Sequence, residues 1–371
     1  MKPIYSVVLI SSLGAVTTAH AQSSVLLYGI VSTGLTYTNN QRGHANLQLL
    51  PGTIQANRWG VRGREDLGGG FATVFVLENG FSSTDGTLQQ GGREFGRQAY
   101  VGITSDRFGA ITLGRQYDSV PTTLGAFESV AQFAANGTHV GDPDNGFNSF
   151  RINNSIKYTS IDYSGLSFNL LYGASNAAGA FANNRTFSAG VTYSAGPLQL
   201  GIAYLNNDNP GSASNTGGAA SGDYAGMFKT SLANPAAGVA QQRVFGAGAA
   251  YTIGNAQINL LYTDSFFRYT DATSLRIDNY EINADYRITP ATLVGAAYIY
   301  TNGEYHPQQK QPKWDQFNVG IDTSLSKRTD VSLVGIYQLA AGDATVANIY
   351  TLPASSTKRQ LEITVGIRHK F

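Results

Sequence analysis

The chain of 371 residues contains no cysteine, only two methionines and few charged residues, which make up 13% of the sequence. The absence of cysteine excludes disulfide frameworks, thiolate metal sites and cysteine nucleophiles. The charged share is about half of that in ordinary soluble proteins. After residue 21 there is no run of about 18 apolar residues, which excludes transmembrane helices. Glycine (43) and tyrosine (21) are abundant instead. This combination indicates a chain with one lipid-facing and one wet surface.

The chain also lacks the usual signatures of enzymes, cofactor sites and nucleic-acid binding. Its 25 basic and 24 acidic residues nearly balance, so no bulk charge favours nucleic acid. No Gly-x-Ser-x-Gly elbow occurs, and Gly68-Gly69-Gly70 is not followed by the Gly-Lys-Ser/Thr of a phosphate loop. Beyond residue 21 the histidines are scattered, and no His/Asp/Glu cluster has metal-ligand spacing. We therefore predict no enzymatic activity, no cofactor and no metal site.

The N-terminus has the pattern of a secretory signal peptide, residues 1–21. Lys2 precedes an apolar stretch over residues 4–16, and Ala19-His20-Ala21 is a small-residue cleavage site. The apolar stretch is too short for a membrane-spanning helix, which disfavours an N-terminal anchor. We predict export through the Sec pathway, cleavage after Ala21, and a single domain over residues 22–371.

The rest of the chain alternates with the period of a β-strand. From Leu361 to Phe371, apolar residues mostly occupy one face of an extended strand, and polar residues such as Glu362, Thr364 and Arg368 occupy the other. Tyr280–Ile288 and Phe317–Leu325 repeat this pattern. A long ordered strand that ends on an aromatic residue is typical of a closed membrane barrel, in which the last strand pairs with the first.

Short and long connectors alternate strictly between these strands. The long, polar connectors lie near residues 38–54, 82–93, 117–151, 175–184, 207–241, 266–276, 302–313 and 341–358. Alternating turns and loops, with about sixteen strands of about ten residues, predict an all-β transmembrane antiparallel barrel with short periplasmic turns and long extracellular loops.

Several segments resemble Gram-negative general porins, closest to the β-proteobacterial type. They include residues 57–70, 75–81, 96–103, 108–116 and 325–329 and the ending Gly366-Ile367-Arg368-His369-Lys370-Phe371. The resemblance implies a sixteen-stranded outer-membrane barrel, a homotrimer, and passive diffusion of small hydrophilic solutes and ions. It also implies contact with outer-membrane lipid and lipopolysaccharide, and with the barrel assembly machinery through the C-terminal Phe371.

Selectivity in such a channel comes from what narrows and charges the lumen. Residues 117–151 are too polar and irregular for a strand, and the resemblance implies that this third long loop folds into the barrel as the constriction. The loop carries the acids Asp118, Glu128, Asp142 and Asp144 and, before Arg151, no lysine or arginine.

The opposite wall is expected to be basic. Arg58, Arg62 and Arg64 share one strand face, opposite Trp59 and Val61. By resemblance, Arg58 and Arg97 match a row of basic residues that faces the constriction loop in general porins. Arg151 matches the same row as the first residue of the sixth strand. Arg93 and Arg115 are weaker candidates for this basic wall. Glu65, Asp66 and Glu78 are expected to be structural.

Acid on the loop and arginine on the wall would create a transverse field, with weak charge selectivity that leans toward anions. The alternative is a substrate-specific channel of the same fold, for a sugar or an organic anion. Such a channel needs aromatic side chains along its path, and the loop offers Phe127, Phe133, Phe147 and Phe150. These side chains would otherwise pack the loop against the wall.

Overall fold

In a computed structural model, which describes residues 24–371, one antiparallel sheet closes on itself as a barrel. The proposed signal peptide lies outside the described residues. In chain order the strands are β1 (Ser24–Gln41), β2 (His44–Pro51), β3 (Arg58–Gly68), β4 (Phe71–Gly80), β5 (Gln98–Ser105), β6 (Gly109–Gln116), β7 (Ile152–Thr159), β8 (Leu166–Gly173), β9 (Arg185–Ala195), β10 (Leu198–Asp208), β11 (Val239–Ile253), β12 (Ala256–Tyr269), β13 (Ser274–Arg287), β14 (Thr292–His306), β15 (Pro312–Ser324), β16 (Thr329–Gly342) and β17 (Arg359–Lys370).

The seventeen strand segments fill sixteen positions around the barrel. β2 and β3 both pair with β1, β3 along its first half and β2 along its second, so they lie end to end in one position. Residues 52–57 interrupt that position. The sixteen-stranded barrel predicted from the sequence is confirmed.

The first and last strands close the barrel. Nine residue pairs join β1 to β17, from Ile30 opposite Lys370 to Thr38 opposite Glu362. The backbone of Phe371 exchanges two 3.0 Å hydrogen bonds with Gly29. Val365 and Ile367 are exposed on the outer face, whereas Glu362 and Thr364 are buried on the inner face. The apolar-out alternation read from the last strand therefore describes the barrel wall.

Three of the predicted long connectors are wrong, because strands occupy most of them. β1 and β2 cover residues 38–51 except for a turn at Arg42-Gly43. The predicted connectors 266–276 and 302–313 shrink to residues 270–273 and 307–311. Beyond the hydrocarbon the outer face no longer needs apolar side chains, so the alternation fades although the strands continue. The long connectors of the structure are residues 81–97, 117–151, 174–184, 209–238 and 343–358.

The helices all lie in the β6–β7 segment, residues 117–151. They are α1 (Ser119–Thr123), a 3₁₀ turn (Gly125–Phe127) and α2 (Ser129–Gln132). Within residues 24–371, no helix has the length and apolar character needed to cross a membrane. The helices instead shape the β6–β7 segment into a folded unit that contacts the barrel wall.

Candidate functional site

Three arginines converge around Tyr117 at the start of the β6–β7 segment. Arg58 begins β3, Arg97 precedes β5 and Arg151 precedes β7. The guanidinium carbons of Arg97 and Arg151 lie 5.9 and 5.5 Å from the centre of the Tyr117 ring. All three arginines line a cavity of about 400 Å³, which we call the basic cavity. Closely spaced cations beside an open volume are suited to attracting anions.

The positive charge of the basic cavity is only partly compensated. Arg97 donates from Nε to Glu78 Oε1 at 2.7 Å, and Glu78 also accepts from the hydroxyls of Tyr28 (2.9 Å) and Tyr117 (3.1 Å). Arg58 donates only to the Ala56 carbonyl, and the buried Nε of Arg151 has no hydrogen-bond partner within residues 24–371. Two guanidinium charges therefore face the cavity without an ion-pair partner in the described chain.

The other walls of the basic cavity are amides and aromatics. They come from the 52–57 interruption, the β4–β5 and β6–β7 segments and the β16–β17 connector, and include Gln55, Asn57, Gln89, Gln90, Asn136, Asn148, Phe147 and Tyr350. Phe147 and Tyr350 meet edge to face with ring centres 5.3 Å apart. None of the residues lining this cavity is acidic.

Arg62 and Arg64 lie further along β3, toward the short-turn end. Both are exposed and line a second cavity of about 610 Å³ with Tyr100, Thr104 and Lys157. Arg64 Nη1 donates to Thr104 Oγ1 at 3.0 Å, and the Arg62 guanidinium lies 5.3 Å from the Tyr28 ring centre. These two arginines continue the line of Arg58 below the basic cavity.

Arg115 is separate from that line and is held by its own partners. Its Nε donates to the Gly96 carbonyl at 2.8 Å, and its two terminal nitrogens bond Asn153 and Asp223. Asp223 belongs to the 209–238 connector between β10 and β11, which reaches Arg115 on β6. With its donors bound in this way, Arg115 anchors the connector rather than lining the basic cavity.

The carboxylates of Asp118 and Asp142 accept hydrogen bonds from residues of their own segment. Asp118 caps α1 by accepting from the Val120 amide (2.8 Å) and also accepts from Asn145 (2.7 Å). Asp142 accepts from the amides of Phe147 (3.1 Å) and Ser149 (3.0 Å). Burial raises the pKa of Asp118 to about 6 and, with the nearby Asp144, that of Asp142 to about 7.

The other two acids belong to a buried cluster around His139. His139 Nδ1 lies 2.6 Å from Asp144, and its Nε2 lies 3.2 Å from Glu281 on β13. Glu128 accepts from Thr138 Oγ1 at 3.0 Å. Burial opposes the charge of His139, but Asp144, Glu281 and Glu128 together outweigh it and raise the pKa of His139 well above its usual value. The pKa of Asp144 is lowered, because the charge of His139 and the hydrogen bonds that Asp144 accepts outweigh its burial. The cluster ties the segment to β13.

None of the four segment acids lines the basic cavity, and each is at most 1% exposed. This arrangement differs from the sequence-based picture of loop acids facing wall arginines. Because a short acidic side chain in a folded loop can cap its own backbone amides, its presence in the sequence does not place its charge in solvent.

The segment docks on the inner face of the long strands through glycine positions. A methyl group added at Gly248 would lie 2.3 Å from Phe127 Cδ2, and one at Gly295 would lie 2.1 Å from Phe133 Cδ1. Asn283 on β13 donates to the Phe127 carbonyl at 2.8 Å. The aromatic rings therefore occupy space that any larger wall residue would fill.

Sequence reasoning missed several members of this arrangement. Tyr117 could have been suspected from its place directly after β6, whereas His139 is one of the scattered histidines to which the sequence gives no role. Its partner Glu281 is 142 positions away, so no local pattern connects them. Lys157, which donates to the Tyr117 carbonyl at 3.0 Å, was missed for the same reason.

Comparison with known proteins gives consistent matches. The family model described as Gram-negative porin matches residues 7–339. An outer membrane porin protein of Bordetella pertussis is 29% identical over 95% of this chain and 96% of its own length. Outer membrane porin protein 32 of Delftia acidovorans is 29% identical over 99% of each chain. Among solved structures, the anion-selective porin from Comamonas acidovorans superposes with a TM-score of 0.75 at 23% identity, covering 94% of this chain and 100% of that one.

Proposed function

Because this chain belongs to the Gram-negative porin family of the outer membrane, whose members are channels rather than enzymes, we propose that it forms a water-filled pore for passive diffusion of small hydrophilic solutes and ions. A sixteen-stranded barrel is wide enough for an aqueous lumen. In this proposal the β6–β7 segment is the constriction, and the basic cavity is the narrow part of the path.

We further propose that the pore prefers anions. The observation that carries this proposal is the pair Arg58 and Arg151, whose charges have no ion-pair partner in the described chain. The segment acids are buried, and three of them have raised pKa values, so they oppose this charge little. The selectivity then arises from an arginine wall alone and not from a field between acids and arginines. Anion selectivity is also the property named for the Comamonas structure, which is similar in fold.

The test is single-channel recording in a planar bilayer under a salt gradient. We expect a reversal potential of anionic sign for the native chain and a shift toward cations of about thirtyfold in permeability ratio for Arg58→Gln/Arg151→Gln, since each of the two unit charges near the path contributes about 1 kcal/mol in water. Arg115→Gln is the control, because its charge is paired with Asp223. Identical reversal potentials for the native chain and the double variant would overturn the arginine wall.

The homotrimer and the assembly signal are further proposals. Strands β4–β8 are short and expose aliphatic side chains such as Val101, Ile103 and Leu113, which suits contact with other copies of the chain. Closure of the conductance in three equal steps would support the trimer, and single-step closure would contradict it.

Phe371, exposed at the barrel rim, is the candidate signal for the assembly machinery. Its deletion should lower the amount of folded protein in the outer membrane, and an unchanged amount would contradict this role. N-terminal sequencing of the exported protein tests cleavage after Ala21.

The second candidate function is a substrate-specific channel for a sugar or an organic anion. The aromatic pair Phe147 and Tyr350, together with the amides around the basic cavity, favours it because such groups bind sugar rings and carboxylates. Saturable block of the current by an oligosaccharide or a dicarboxylate would support this function. A current that falls only in proportion to solute size would support general diffusion.

A further inference from the structure

Lys229, in the connector between β10 and β11, is one of two buried lysines in residues 24–371. Its side chain ends among three aromatic rings, which we call the aromatic cage: Tyr224 of the same connector, Phe150 at the end of the β6–β7 segment, and Phe267 on β12. The Nζ atom lies 4.4 Å from the centre of the Tyr224 ring, 5.2 Å from that of Phe150 and 5.0 Å from that of Phe267. All three distances are within the range of about 6 Å in which a ring face attracts a cation.

The aromatic cage attracts the charge of Lys229 but pairs none of its hydrogen-bond donors. A lysine ammonium group has three N–H donors, yet this Nζ is buried and has no hydrogen-bond partner within the described residues. The hydroxyl of Tyr224 is directed elsewhere, since it donates to Gln242 Oε1 at 2.8 Å. Burial lowers the pKa of Lys229 to about 8, although Asp142 and Asp144 oppose this shift. Because a buried charged donor without an acceptor is costly, a plain ammonium group fits this place poorly.

The other buried lysine shows the usual surroundings of this side chain. Lys157 is 9% exposed, against 7% for Lys229, and its Nζ donates to the Tyr117 carbonyl at 3.0 Å and to Thr122 Oγ1 at 3.1 Å. The two lysines are therefore about equally removed from solvent, but oxygen atoms surround one nitrogen and ring faces surround the other. Ring faces arranged in this way are the surroundings that bind quaternary ammonium groups, which carry a charge and no N–H donor.

We propose that Lys229 is a methylation site and that the aromatic cage holds its side chain as trimethyl-lysine. Methylation keeps the positive charge that the rings attract and removes all three unpaired donors. Before each step the ammonium group loses a proton to water. The freed lone pair then forms a bond to the methyl carbon of a sulfonium methyl donor, and the carbon–sulfur bond breaks to leave a thioether. Because the folded chain buries Nζ, a methyltransferase of the cell must act on the unfolded chain, before the barrel assembles.

Peptide mapping by mass spectrometry tests the modification on the full chain, purified from the outer membrane of the bacterium that makes it. We expect the peptide that contains Lys229 to carry three added methyl groups and the peptide that contains Lys157 to have its unmodified mass. The same chain, produced without residues 1–21 in an unrelated host and refolded, is the unmodified reference.

An unmodified Lys229 would overturn the proposal, and a mono- or dimethylated residue would overturn the quaternary form. Accurate mass distinguishes trimethylation from acetylation, which removes the charge and would also overturn the proposal.

A second experiment tests the preference of the aromatic cage directly. The chain has no cysteine, so Lys229→Cys provides a single thiol, which is alkylated in denaturant with bromoethyl-trimethylammonium or with bromoethylamine before refolding. The thiolate displaces bromide in both reactions, so the two products differ only in three methyl groups. We expect the trimethylated product to unfold at a temperature a few degrees higher, because it buries no unpaired donor. An equal or lower unfolding temperature would overturn the fit between the cage and the quaternary group.

Lys157→Cys, alkylated with the same two reagents, is the matched control. There the trimethylated product should unfold at the lower temperature, since it cannot donate to Tyr117 and Thr122. A gain at both positions would mean that methylation stabilises the barrel generally, and it would overturn the role of the aromatic cage. Both experiments measure mass or unfolding rather than ion flow, so their outcome is independent of the proposed channel.

Discussion

The strands on the two sides of the barrel differ in length and in what they present to the inside. Strands β4–β8, the short arc, have 8–10 residues each, whereas β11–β16, the long arc, have 13–15. Beside the short arc lie the basic cavity and Lys157. The long arc presents amides such as Asn283 and Asn318 and glycines such as Gly248.

The difference shows how one wall can hold a loop while the other keeps its charge available. Neutral amides of the long arc bind backbone carbonyls of the β6–β7 segment, as Asn318 does for Gly137 at 2.7 Å. No arginine of the short arc is needed for that attachment. The unpaired arginines thus lie beside the short arc, while the long arc holds the segment through neutral amides and the Glu281 carboxylate; from the short arc, Lys157 also donates to the Tyr117 carbonyl.

The largest expected effect comes from breaking the docking on the long arc. Phe127→Ala should lower the free energy of unfolding by about 3–5 kcal/mol and loosen the segment, because Phe127 is 3% exposed and leaves a cavity over Gly201 and Gly248. Thermal unfolding followed by circular dichroism measures the first effect, and single-channel noise measures the second.

The matched control is Phe181→Ala, since this phenylalanine is 77% exposed in the 174–184 connector. Gly248→Val should act like Phe127→Ala by filling the same space from the wall side. If Phe127→Ala and Phe181→Ala unfold at the same temperature, the docking account is wrong.

A second change sharpens the comparison on the short-arc side. Glu78→Gln removes the carboxylate that neutralises Arg97 and keeps the hydrogen-bonding shape. We expect the anion preference to rise by up to about fivefold, since one unit charge near the path is worth about 1 kcal/mol in water. The reversal potential measures this, with Glu65→Gln, in an outer part of β3, as control. A shift toward cations would contradict the assigned role of Glu78.

The attachment of the segment should also depend on pH. The fold raises the pKa of Asp118 to about 6 and of Asp142 to about 7 from 3.8, so the stabilisation by their protonated forms is complete below pH 3.8 and is lost as pH rises through 6–7. The pKa of His139 is also raised, so its contribution is complete below pH 6.5 and is lost as pH rises through its raised pKa. Asp144 is lowered, so its contribution is present above pH 3.8 and lost at more acidic pH.

The directions of these pKa shifts predict that the β6–β7 segment is held most firmly to the wall between about pH 4 and 6 and more loosely above pH 7. Single-channel noise at pH 5 and pH 8.5 measures the difference, and Asp142→Asn should reduce it. Equal noise at both pH values in the native chain would refute the pH dependence.

The smallest effect is expected for an ion pair on the outer face. Arg185→Gln removes a 2.7 Å pair with Asp208 whose arginine side chain is 43% exposed, so the loss should be about 0.5 kcal/mol or less. The unfolding temperature should shift by far less than in Phe127→Ala. A comparable shift would mean that outer charges, and not the docked segment, stabilise the barrel.

The sequence predicts the barrel well because each strand carries its own alternation of apolar and polar residues. It predicts strand ends poorly: residues 274–276 pair as a strand although Arg276 occupies an outer position, because they lie beyond the apolar band. The packing role expected for Phe127 and Phe133 agrees with their contacts.

The site was predicted in part. The alternation of strand faces points to Arg58, and the family resemblance points to Arg58, Arg97 and Arg151. The fold brings these three arginines to one cavity. The acids could not be assigned, because their environment depends on distant residues: Asp144 meets Thr263, and His139 meets Glu281. Composition alone does not distinguish an acid that faces the path from one that caps a backbone turn.

Between Gly246 and Ala250, β11 has only glycine and alanine on both faces. Its inner positions are Gly246 and Gly248, which contact Leu124 and Phe127. Its outer positions are Ala247 and Ala249, which line a shallow apolar depression on the outer face of the barrel. At this place a single layer of backbone separates the docked β6–β7 segment from the outer face of the barrel. The wall therefore has the least side-chain material where it holds this segment, so the lipid outside β11 is a close neighbour of the β6–β7 segment.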